Sequence, residues 1–515
     1  MRGNRLAAID IGTNSIRSIV VEVNKAGAFK ILDDEKATVR LGEGFAKTGA
    51  ISPAAWQRAM DSLSRMKKIF DGYGVKNVEV VATSAVRKAT NGAAFVAAIK
   101  ADIGIDVATI SGEEEAELAV LSAQNNFDME GVRYAMADIG GGSLEIVTAV
   151  GNHIEEIYSL ELGAVVLTEN FISSDPVNSG DYLKLRKHVR KSLKSAFDGD
   201  EFPINSVLGS GGTMTSIAAM VMAMRREVYG SVHGYEVLRS EVVHLLAMLL
   251  RKDIKGRRGV PGLNADRADI IVAGVVVVDE LMDFFGANTL KVNERGIREG
   301  LILRSLKKHK LLPVSTRARN WRQSVIDFAR SCHFDEEHSL HVARLALQIF
   351  DALAATFKLE KRERQILESA ALLHDIGYFI SYSRHHKHSY HLIRHADLFG
   401  FTPREMEIIA NIARYHRKSL PKKKHESFAR LSLPDQQLVN RLGGILRLAD
   451  GLDRRRNSHV QGVECALSPR MLTVRLAGGE DLSVELFGGK LKGDLMEAAF
   501  KRKLHLVPAV PALSD

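Results

Sequence analysis

The same short turn occurs twice in the first third of this 515-residue chain. Residues 7–17 read AAIDIGTNSIR and residues 135–145 read AMADIGGGSLE, so both contain D-I-G-x-x-S after an apolar run. The apolar pattern resumes directly after each turn, which predicts strand–turn–strand over residues 5–23 and 132–150. Aligning the two aspartates also aligns the glycine and the serine of each copy. The repeat predicts two related half-domains that face one cleft.

The rest of the first 308 residues alternates between predicted strands and helices, which favours an α/β architecture. We expect a strand at 77–83 and helices at 53–71, 112–124, 181–197 and 212–225. From 319 to about 456 the pattern is almost wholly helical, and MLTVRLAGGEDLSVELFGG near the end predicts a β-hairpin. The expected domains are residues 1–128, 129–308, 309–457 and 458–515.

Composition and charge narrow the class of partner. The net charge of +9 favours an anionic partner, and nucleic acid, nucleotide, polyphosphate and acidic membrane all qualify. No stretch looks long and apolar enough to span a bilayer, and the N-terminus lacks the apolar core of a signal peptide. The two cysteines, Cys332 and Cys465, form no disulfide framework. We therefore expect a cytoplasmic protein.

The chemistry of the repeated turn suits phosphate. Glycines leave backbone N–H groups free to converge on an anion, and the hydroxyls of Thr13, Ser15 and Ser143 add donors. An aspartate at a strand end can hold a metal ion or a water beside the phosphate. A third glycine-rich segment, residues 209–213, opens a predicted helix and also suits an anion. No G-x-x-x-x-G-K-[ST] occurs, so this is not a P-loop.

The two turns resemble the phosphate-binding loops of the ASKHA superfamily, which contains acetate and sugar kinases, heat-shock ATPases and actin. Four ordered segments are similar to the exopolyphosphatase/guanosine pentaphosphate phosphohydrolase (Ppx/GppA) family: ATSAVRKATN (82–91), ISGEEEAEL (110–118), DIGGGSLEIV (138–147) and RGIREGLI (295–302). The resemblance covers residues 5–305, and the helical half matches the long form of the family. It implies two actin-like, ribonuclease H-like half-domains around a catalytic cleft, then an all-α HD-like domain and a small α+β C-terminal domain.

The resemblance also implies an activity. The expected reaction is Mg²⁺-dependent release of terminal orthophosphate from inorganic polyphosphate, with K⁺ as a candidate second cofactor. Guanosine pentaphosphate 5′-phosphohydrolase is the alternative within the same chemistry. An actin-like ATP-binding protein and an HD phosphohydrolase are the alternatives of a different class. A homodimer is the family expectation.

Site residues follow from the matched motifs. Glu115 takes the position of the catalytic glutamate, although local pattern alone does not decide between it and Glu114. Asp138 and Glu145 match carboxylates that we assign to Mg²⁺ and water. For Arg267 and Arg298 we expect structural ion pairs. The expected phosphate-binding residues are Asp10, Gly12, Thr13, Asn14, Ser15, Arg17, Arg87, Gly140, Gly141, Gly142, Ser143, Gly209, Gly211, Gly212 and Thr213.

The helical half contains HSLHVA (338–343), ALLHDIG (371–377) and RLADGLD (447–453), which together resemble the HD superfamily. Such a set can converge on a divalent metal. A second hydrolase site, an auxiliary metal site and a structural arrangement without metal remain open. The expected ligands are His338, His374, Asp375 and Asp450, with His388 and His416 at the positions of additional ligands.

Basic residues crowd the same half. A polyanion of many phosphates needs an extended cationic surface, and its binding is expected to weaken steeply with salt. Nucleic acid is not favoured, because no aromatic residues are interleaved with these charges. The predicted polyphosphate track is Arg414, Arg417, Lys418, Lys422, Lys423 and Lys424, with Arg454, Arg455 and Arg456 as a further cluster.

Overall fold

The computed structural model describes residues 4–24, 29–197, 204, 206–311, 320–479 and 481–509. The chain divides into two compact units, Met1–Ala318 and Arg319–Asp515.

The first unit contains two mixed sheets. The strands of the first sheet are β1 (Asn4–Ile11), β2 (Ser15–Val23), β3 (Phe29–Thr38), β4 (Asn77–Ala82) and β5 (Ala108–Thr109). Those of the second are β6 (Arg133–Ile139), β7 (Leu144–Val150), β8 (His153–Leu160), β9 (Ser206–Ser210), β10 (Glu236–Leu238) and β11 (Thr289–Val292). The strand orders are β3-β2-β1-β4-β5 and β10-β11-β9-β6-β7-β8.

Helices cover these sheets, and the predicted helices form. They are α1 (Phe45–Thr48), α2 (Pro53–Tyr73), α3 (Ser84–Lys88), α4 (Gly92–Ile103), α5 (Gly112–Asn126), α6 (Ala164–Phe171), α7 (Ser179–Ala196), α8 (Gly212–Arg225), α9 (Arg239–Leu250), α10 (Ile254–Arg258), α11 (Ile271–Phe284) and α12 (Ile297–Lys308), with a 3₁₀ turn at Ala265–Arg267.

The sequence repeat is a repeat of topology. Strand β1 pairs antiparallel with β2 and parallel with β4, and β6 pairs in the same way with β7 and β9. Within each hairpin the aspartate of the turn has a directly paired residue. Asp10 lies opposite Arg17, and Asp138 lies opposite Glu145. The predicted pair of α/β half-domains is therefore confirmed.

Two helices pack across the domain boundary that was expected between residues 128 and 129. Helix α5 buries Ala116, Ala119 and Val120 against strands β6 and β7 of the second sheet. Helix α12 buries Leu301 and Ile302 against β1, β2 and β4 of the first sheet. Each half thus lends one helix to the other, which sequence order cannot reveal because both helices carry apolar residues on more than one side.

The two exchanged helices are fastened to each other by buried polar groups. Glu299 of α12 accepts hydrogen bonds from the Ser122 hydroxyl (3.1 Å) and the Asn126 amide (2.9 Å) of α5. Arg295 donates to Asn126 as well. Satisfied buried networks of this kind fix one arrangement of the elements that they join. The polar contacts of the RGIREGLI segment therefore fix the position at which α5 and α12 cross.

The second unit is a helical bundle with a small sheet. Its elements are α13 (Trp321–Ser331), α14 (Glu336–Phe357), α15 (Lys361–Leu373), a 3₁₀ turn (Ile376–Phe379), α16 (His385–Arg394), α17 (Pro403–Arg414), α18 (Glu426–Ala429), α19 (Leu433–Gly451), β12 (Val460–Leu467), β13 (Met471–Gly478), α20 (Ser483–Lys492), α21 (Asp494–Phe500) and β14 (Lys503–Pro508). Sheet and bundle residues share one hydrophobic core, so 309–457 and 458–515 do not pack as separate domains.

Two predictions for this unit are wrong. The expected hairpin over 471–489 is a strand followed by a helix, because Leu482 and Leu486 pack into the core at helical spacing and Arg455 pairs with the buried Glu485. Strand β13 pairs instead with β12 and β14. The second is the expectation that no stretch is long and apolar enough to span a bilayer, since α14 is so by length and composition. Its apolar side packs in the core of the unit, as in a soluble bundle helix.

The crossing of α5 and α12 depends on a glycine. A Cβ on Gly300 would lie 2.1 Å from the carbonyl oxygen of Leu118, whereas one on the helical Gly72 would meet nothing within 4 Å. We expect Gly300→Ala to lower the free energy of unfolding by about 1–3 kcal/mol, as overpacking does. Gly72→Ala should raise it by up to about 1 kcal/mol through helix propensity. Urea unfolding measures both, and equal effects would contradict this packing.

Candidate active site

The two repeated turns are in direct contact. The Gly12 amide donates to the Ser15 carbonyl at 3.1 Å, and the Gly140 amide donates to the Ser143 carbonyl at 3.0 Å, so the turns have the same internal hydrogen bond. A Cβ added to Gly141 would lie 2.9 Å from the Cβ of Thr13. Glycine is required here because the two backbones approach closely.

The same contact continues one residue further. A Cβ on Gly142 would lie 2.5 Å from the hydroxyl of Ser84 and 2.8 Å from that of Thr13. Within the described ranges, no hydrogen bond uses the amide N–H of Thr13, Asn14, Gly141 or Gly142. These amides belong to two turns that meet, and an anion between the turns could accept from both.

The first turn of helix α5 decides between the two candidate glutamates. The Ser111 hydroxyl accepts from the Glu114 amide, and the Glu114 carboxylate accepts from the Ser111 amide, both at 3.1 Å. Glu114 is thus used by a capping box and is exposed. Glu115 is 6% exposed and lines the cleft. The S-x-x-E pattern beginning at Ser111 is the signal from which the sequence could have assigned Glu114.

Glu115 is buried with little compensation. Its Oε2 lies 3.6 Å from the Arg87 guanidinium and has no hydrogen-bond partner among the residues that the structure describes. Burial raises the pKa of Glu115 well above its usual range, and the neighbouring charge of Glu145 raises it further. A carboxyl group with a raised pKa can take up a proton near neutral pH, as a general base must.

The other three carboxyl groups of the site also have raised pKa values; Asp138 and Glu145 are buried and Asp10 is partly buried. Burial raises the pKa of Asp10 to about 6, with Arg17 and Arg298 opposing the shift. Burial and the charge of Asp10 raise the pKa of Asp138 to about 6. Burial raises the pKa of Glu145 to about 8, although its Oε1 accepts from the Ser159 hydroxyl at 3.2 Å. The negative charge of four acidic groups at one site must be compensated by a bound cation or by protonation.

Cationic side chains gather at the first hairpin and on α12. Arg17 is partly buried, and burial together with the charge of Arg298 lowers its pKa. Burial and Arg17 lower the pKa of Arg267 to about 10 and that of Lys36 to about 8. Arg298 forms the expected ion pair, with Asp34, and Arg267 donates to Thr213 Oγ1 at 3.1 Å. Both arginines also line the cavity, which the sequence interpretation missed.

A single cavity of about 110 Å³ joins these groups. The predicted residues that line it are Asp10, Gly12, Thr13, Asn14, Ser15, Arg17, Glu115, Asp138, Gly140, Gly141, Gly142, Ser143, Gly211 and Gly212. The lining residues that the sequence analysis did not assign to the site are Thr83, Ser84, Ile139, Thr215, Glu294, Arg295, Gly296 and Ile297. Most of them follow strand ends, where only the assembled sheet brings them to the cleft.

Four residues that were predicted for the site do not line the cavity. Gly209 is inside strand β9, where a Cβ would lie 2.7 Å from Leu290. The hydroxyl of Thr213 faces Arg267, two residues before the cavity-lining Thr215. Glu145 and Arg87 reach the site through Glu115 and do not line the cavity themselves. Each of these residues is kept from the cavity because it lies inside the sheet or packs against a neighbouring side chain.

In the second unit the predicted metal ligands His338, His374, Asp375 and Asp450 are buried and lie together. His416 joins them, as expected. His388 does not join them. It is partly exposed, and His385, three residues earlier on α16, takes its place. The phase of that helix could not be read from HHKHSYH, where four histidines fall on different faces.

The structure places the members of the predicted polyphosphate track in different surroundings. Arg414 lies over the rings of Tyr390 and Tyr415, and Arg417 lies 3.2 Å from His385 Nε2. Both are partly buried. Of the further cluster, Arg455 pairs with Glu485 and Arg456 with Asp375, while Arg454 is exposed. The exposed members of the track are Lys418, Lys422, Lys423 and Lys424.

The raised pKa of Glu145 makes a prediction about stability. The folded chain keeps this carboxyl protonated up to about pH 8, whereas its ordinary value is 4.5, so its contribution to stability falls as pH rises between these values. In metal-free buffer we expect Glu145→Gln to match wild type near pH 5 and to be more stable by on the order of 2–4 kcal/mol near pH 8.5. Urea unfolding at the two pH values measures this.

The exposed Glu117 on helix α5 provides the control, and Glu117→Gln should show no such pH trend. If Glu145→Gln raised the free energy of unfolding equally at both pH values, the proposed cost of burying the charged carboxylate would be contradicted.

Comparison with known proteins agrees with this geometry. Residues 19–309 match the Ppx/GppA phosphatase family, and residues 321–482 match domain III of the same family. The crystal structure of the Ppx/GppA family member of Aquifex aeolicus is 28% identical, covers 59% of this chain and 98% of its own, and has a TM-score of 0.51. An exopolyphosphatase from Cytophaga hutchinsonii is 27% identical, covers 60% of this chain and all of its own, and has a TM-score of 0.56. The chain therefore belongs to the Ppx/GppA phosphatase family and is a hydrolase of phosphoanhydride bonds.

Proposed function

We propose that this protein is an exopolyphosphatase, which removes terminal orthophosphate from inorganic polyphosphate with the help of Mg²⁺. The observation that carries the proposal is the cavity that joins two glycine turns, a buried glutamate and a group of arginines. Unused amides of the turns suit the terminal phosphoryl group, and Glu115 suits the attacking water.

The residues present fit a divalent cation. Asp10 Oδ1 is buried without a hydrogen-bond partner among the described residues, and a Cβ on Gly211 would lie 2.7 Å from Asp138 Oδ1. Asp138 and Asp10 are the carboxylates that would hold Mg²⁺ at the cavity, and Glu145 stands behind them. Bound Mg²⁺ would neutralise charge on the phosphoryl oxygens.

The protein groups then divide the work of hydrolysis. Glu115 orients a water and accepts its proton as the water oxygen bonds to the terminal phosphorus. The bond from that phosphorus to the bridging oxygen breaks, and the shortened chain leaves with the electron pair. Glu145, beside Glu115, raises the proton affinity of this base. Amides of the two turns donate to the phosphoryl oxygens, whose charge is high in the transition state.

The cationic group suits the remainder of the substrate. Arg17, Arg267 and Arg298 line the cavity and can pair with phosphates behind the terminal one. None of the described lining residues is aromatic, so the cavity offers no ring on which a guanine base could stack. This favours polyphosphate over guanosine pentaphosphate as the substrate. The exposed lysines Lys422, Lys423 and Lys424 are proposed as contacts for longer chains.

We further propose a cytoplasmic homodimer that is not bound to a membrane, with K⁺ as a possible second cation. The cysteine content and the family resemblance support this part of the proposal.

Glu115→Gln tests the assignment of the base. The amide cannot accept the proton of water, so we expect kcat to fall by at least about 10³-fold, with KM changed little. Glu114→Gln is the matched control, since the adjacent carboxylate serves only the helix cap. It should keep full activity and nearly full stability, because the glutamine oxygen can still accept from the Ser111 amide in the capping box. Phosphate release with Mg²⁺ measures both, and full activity of Glu115→Gln would refute the assignment.

Substrate choice is tested with the wild-type enzyme. Phosphate release would be compared for long-chain polyphosphate, guanosine pentaphosphate and ATP at equal concentrations of terminal phosphate. We expect the highest kcat/KM for polyphosphate. A higher value for guanosine pentaphosphate would leave the hydrolytic site in place and overturn the substrate assignment.

A further inference from the structure

The second unit contains a buried cluster that the proposed function does not use. Its six side chains come from different segments of the bundle: His338, His374, Asp375, His385, His416 and Asp450. All six are at least nine-tenths buried. They form two sets of three, in each of which the nearest ligand atoms lie within 4.8 Å of one another.

Each imidazole of the cluster is oriented in the same way. The Nδ1 atoms of His374 and His416 lie 2.7 Å from the carbonyl oxygens of Ala371 and Ala413, three residues earlier. His385 Nδ1 lies 3.1 Å from the carbonyl oxygen of Tyr382. A carbonyl oxygen can only accept, so each Nδ1 carries the hydrogen and each neutral ring turns a lone pair on Nε2 to the centre.

The fourth imidazole obeys the same rule with a carboxylate. His338 Nδ1 lies 2.7 Å from Asp453 Oδ2. The Nε2 atoms of His338 and His374 have no hydrogen-bond partner among the described residues. Those of His385 and His416 face each other at 3.4 Å. The Arg417 guanidinium also lies 3.2 Å from His385 Nε2. Four inward imidazole nitrogens, each ring fixed by an outer partner on Nδ1, are what a metal centre requires.

The separations between the inward atoms agree with this interpretation. Asp450 Oδ1 lies 3.7 Å from His338 Nε2 and 3.9 Å from His374 Nε2. Asp375 Oδ1 lies 3.2 Å from His385 Nε2 and 3.5 Å from His416 Nε2. Ligands about 2.1 Å from a shared metal ion are roughly 3–3.5 Å apart, so small shifts would close both sets.

Asp375 belongs to both sets. Its second oxygen, Oδ2, lies 3.6 Å from His374 Nε2 and 3.9 Å from His338 Nε2, while Oδ1 faces the other two imidazoles. We propose that this cluster is a dinuclear metal centre in which the Asp375 carboxylate bridges two divalent ions. Four imidazoles with carboxylates favour transition metals such as Mn²⁺, Fe²⁺, Co²⁺ or Zn²⁺ over Mg²⁺.

Two internal cations do not replace these metal ions. Lys492 pairs with Asp450 Oδ2, and Arg456 pairs with Asp375 Oδ2. They balance carboxylate charge but donate nothing to the imidazole Nε2 atoms, and Arg417 can donate only to that of His385. The Nε2 lone pairs of His338 and His374 therefore remain the unmet requirement of the cluster.

The centre has an open side. A cavity of about 340 Å³ is lined by Asp375, Tyr378, Tyr382 and Arg456, together with residues 332–335. Structural metal sites are closed, whereas a site that reaches a cavity can exchange water or an anion. Arg456 at this opening suits an anionic ligand such as phosphate on the metal ions.

Metal content after reconstitution tests the centre. The full-length protein would be stripped with chelator, loaded separately with Mn²⁺ and Zn²⁺, desalted and measured by elemental mass spectrometry. Asp138→Asn removes the proposed cation site of the cleft, and in this background we expect about two ions per chain. His374→Ala and His416→Ala should each retain about one. His388→Ala, on the same helix as His385 but outside the cluster, should retain two.

The bridge is tested separately. Asp375→Asn keeps the shape and should lose tight binding of both ions, while circular dichroism confirms that it is folded. Electron paramagnetic resonance of the Mn²⁺-loaded wild type should show an exchange-coupled pair. Fewer than about 0.2 ions per chain in wild type would overturn the centre. Two uncoupled Mn²⁺ signals, or one ion retained by Asp375→Asn, would overturn the bridge.

Discussion

The close approach of two glycine turns is the contact on which the first unit depends. Gly141 and Gly142 lie so near Thr13 and Ser84 that any side chain would separate the two half-domains. This contact brings amides from both sheets to one point and places Asp10 and Asp138 at the same cavity. The two turns have the same topology, but their cross-strand partners differ: Arg17 in one copy and Glu145 in the other. The repeat therefore produces a cleft with distinct cationic and acidic groups.

The acidic part of the cleft is costly to the folded protein. Glu115, Asp138 and Glu145 are buried beside the partly buried Asp10, and burial raises the pKa of each. Charged groups in such a place are tolerated when a cation or a substrate compensates them. The same feature makes the site reactive, because a carboxylate with a raised pKa accepts a proton from water more readily. Stability and chemistry are opposed here, as is common at active sites.

Much of the first unit could be predicted from local sequence. The turns, the flanking strands and the main helices follow from apolar periodicity, and the motif resemblance placed Glu115. The exchange of α5 and α12 between the sheets could not be predicted, because helix amphipathicity does not say which sheet a helix covers. Gly209 and Thr213 were misplaced for a related reason, since a glycine-rich segment does not show which residue reaches the surface of the assembled sheet.

In the second unit the pattern was less informative. The expected hairpin failed because SVELF fits both a strand and one side of a helix. The side chains predicted as metal ligands from their motifs, His338, His374, Asp375, His416 and Asp450, do lie together, yet His388 was chosen where His385 joins the cluster. Arg414 and Arg417 were assigned to an exposed track, but their contacts with Tyr390, Tyr415 and His385 leave them only partly exposed. The sequence around a charged residue does not show which aromatic rings the fold will place beside it.

Proton release on Mg²⁺ binding tests the central claim most directly. Calorimetric titration of the metal-free protein at pH 6, in two buffers of different ionisation enthalpy, measures the protons released. With the pKa values of Asp10 and Asp138 near 6, the account predicts release of about one proton per Mg²⁺ bound at the cleft, and loss of this release in Asp138→Asn. Binding without proton release, or release unchanged in Asp138→Asn, would contradict it.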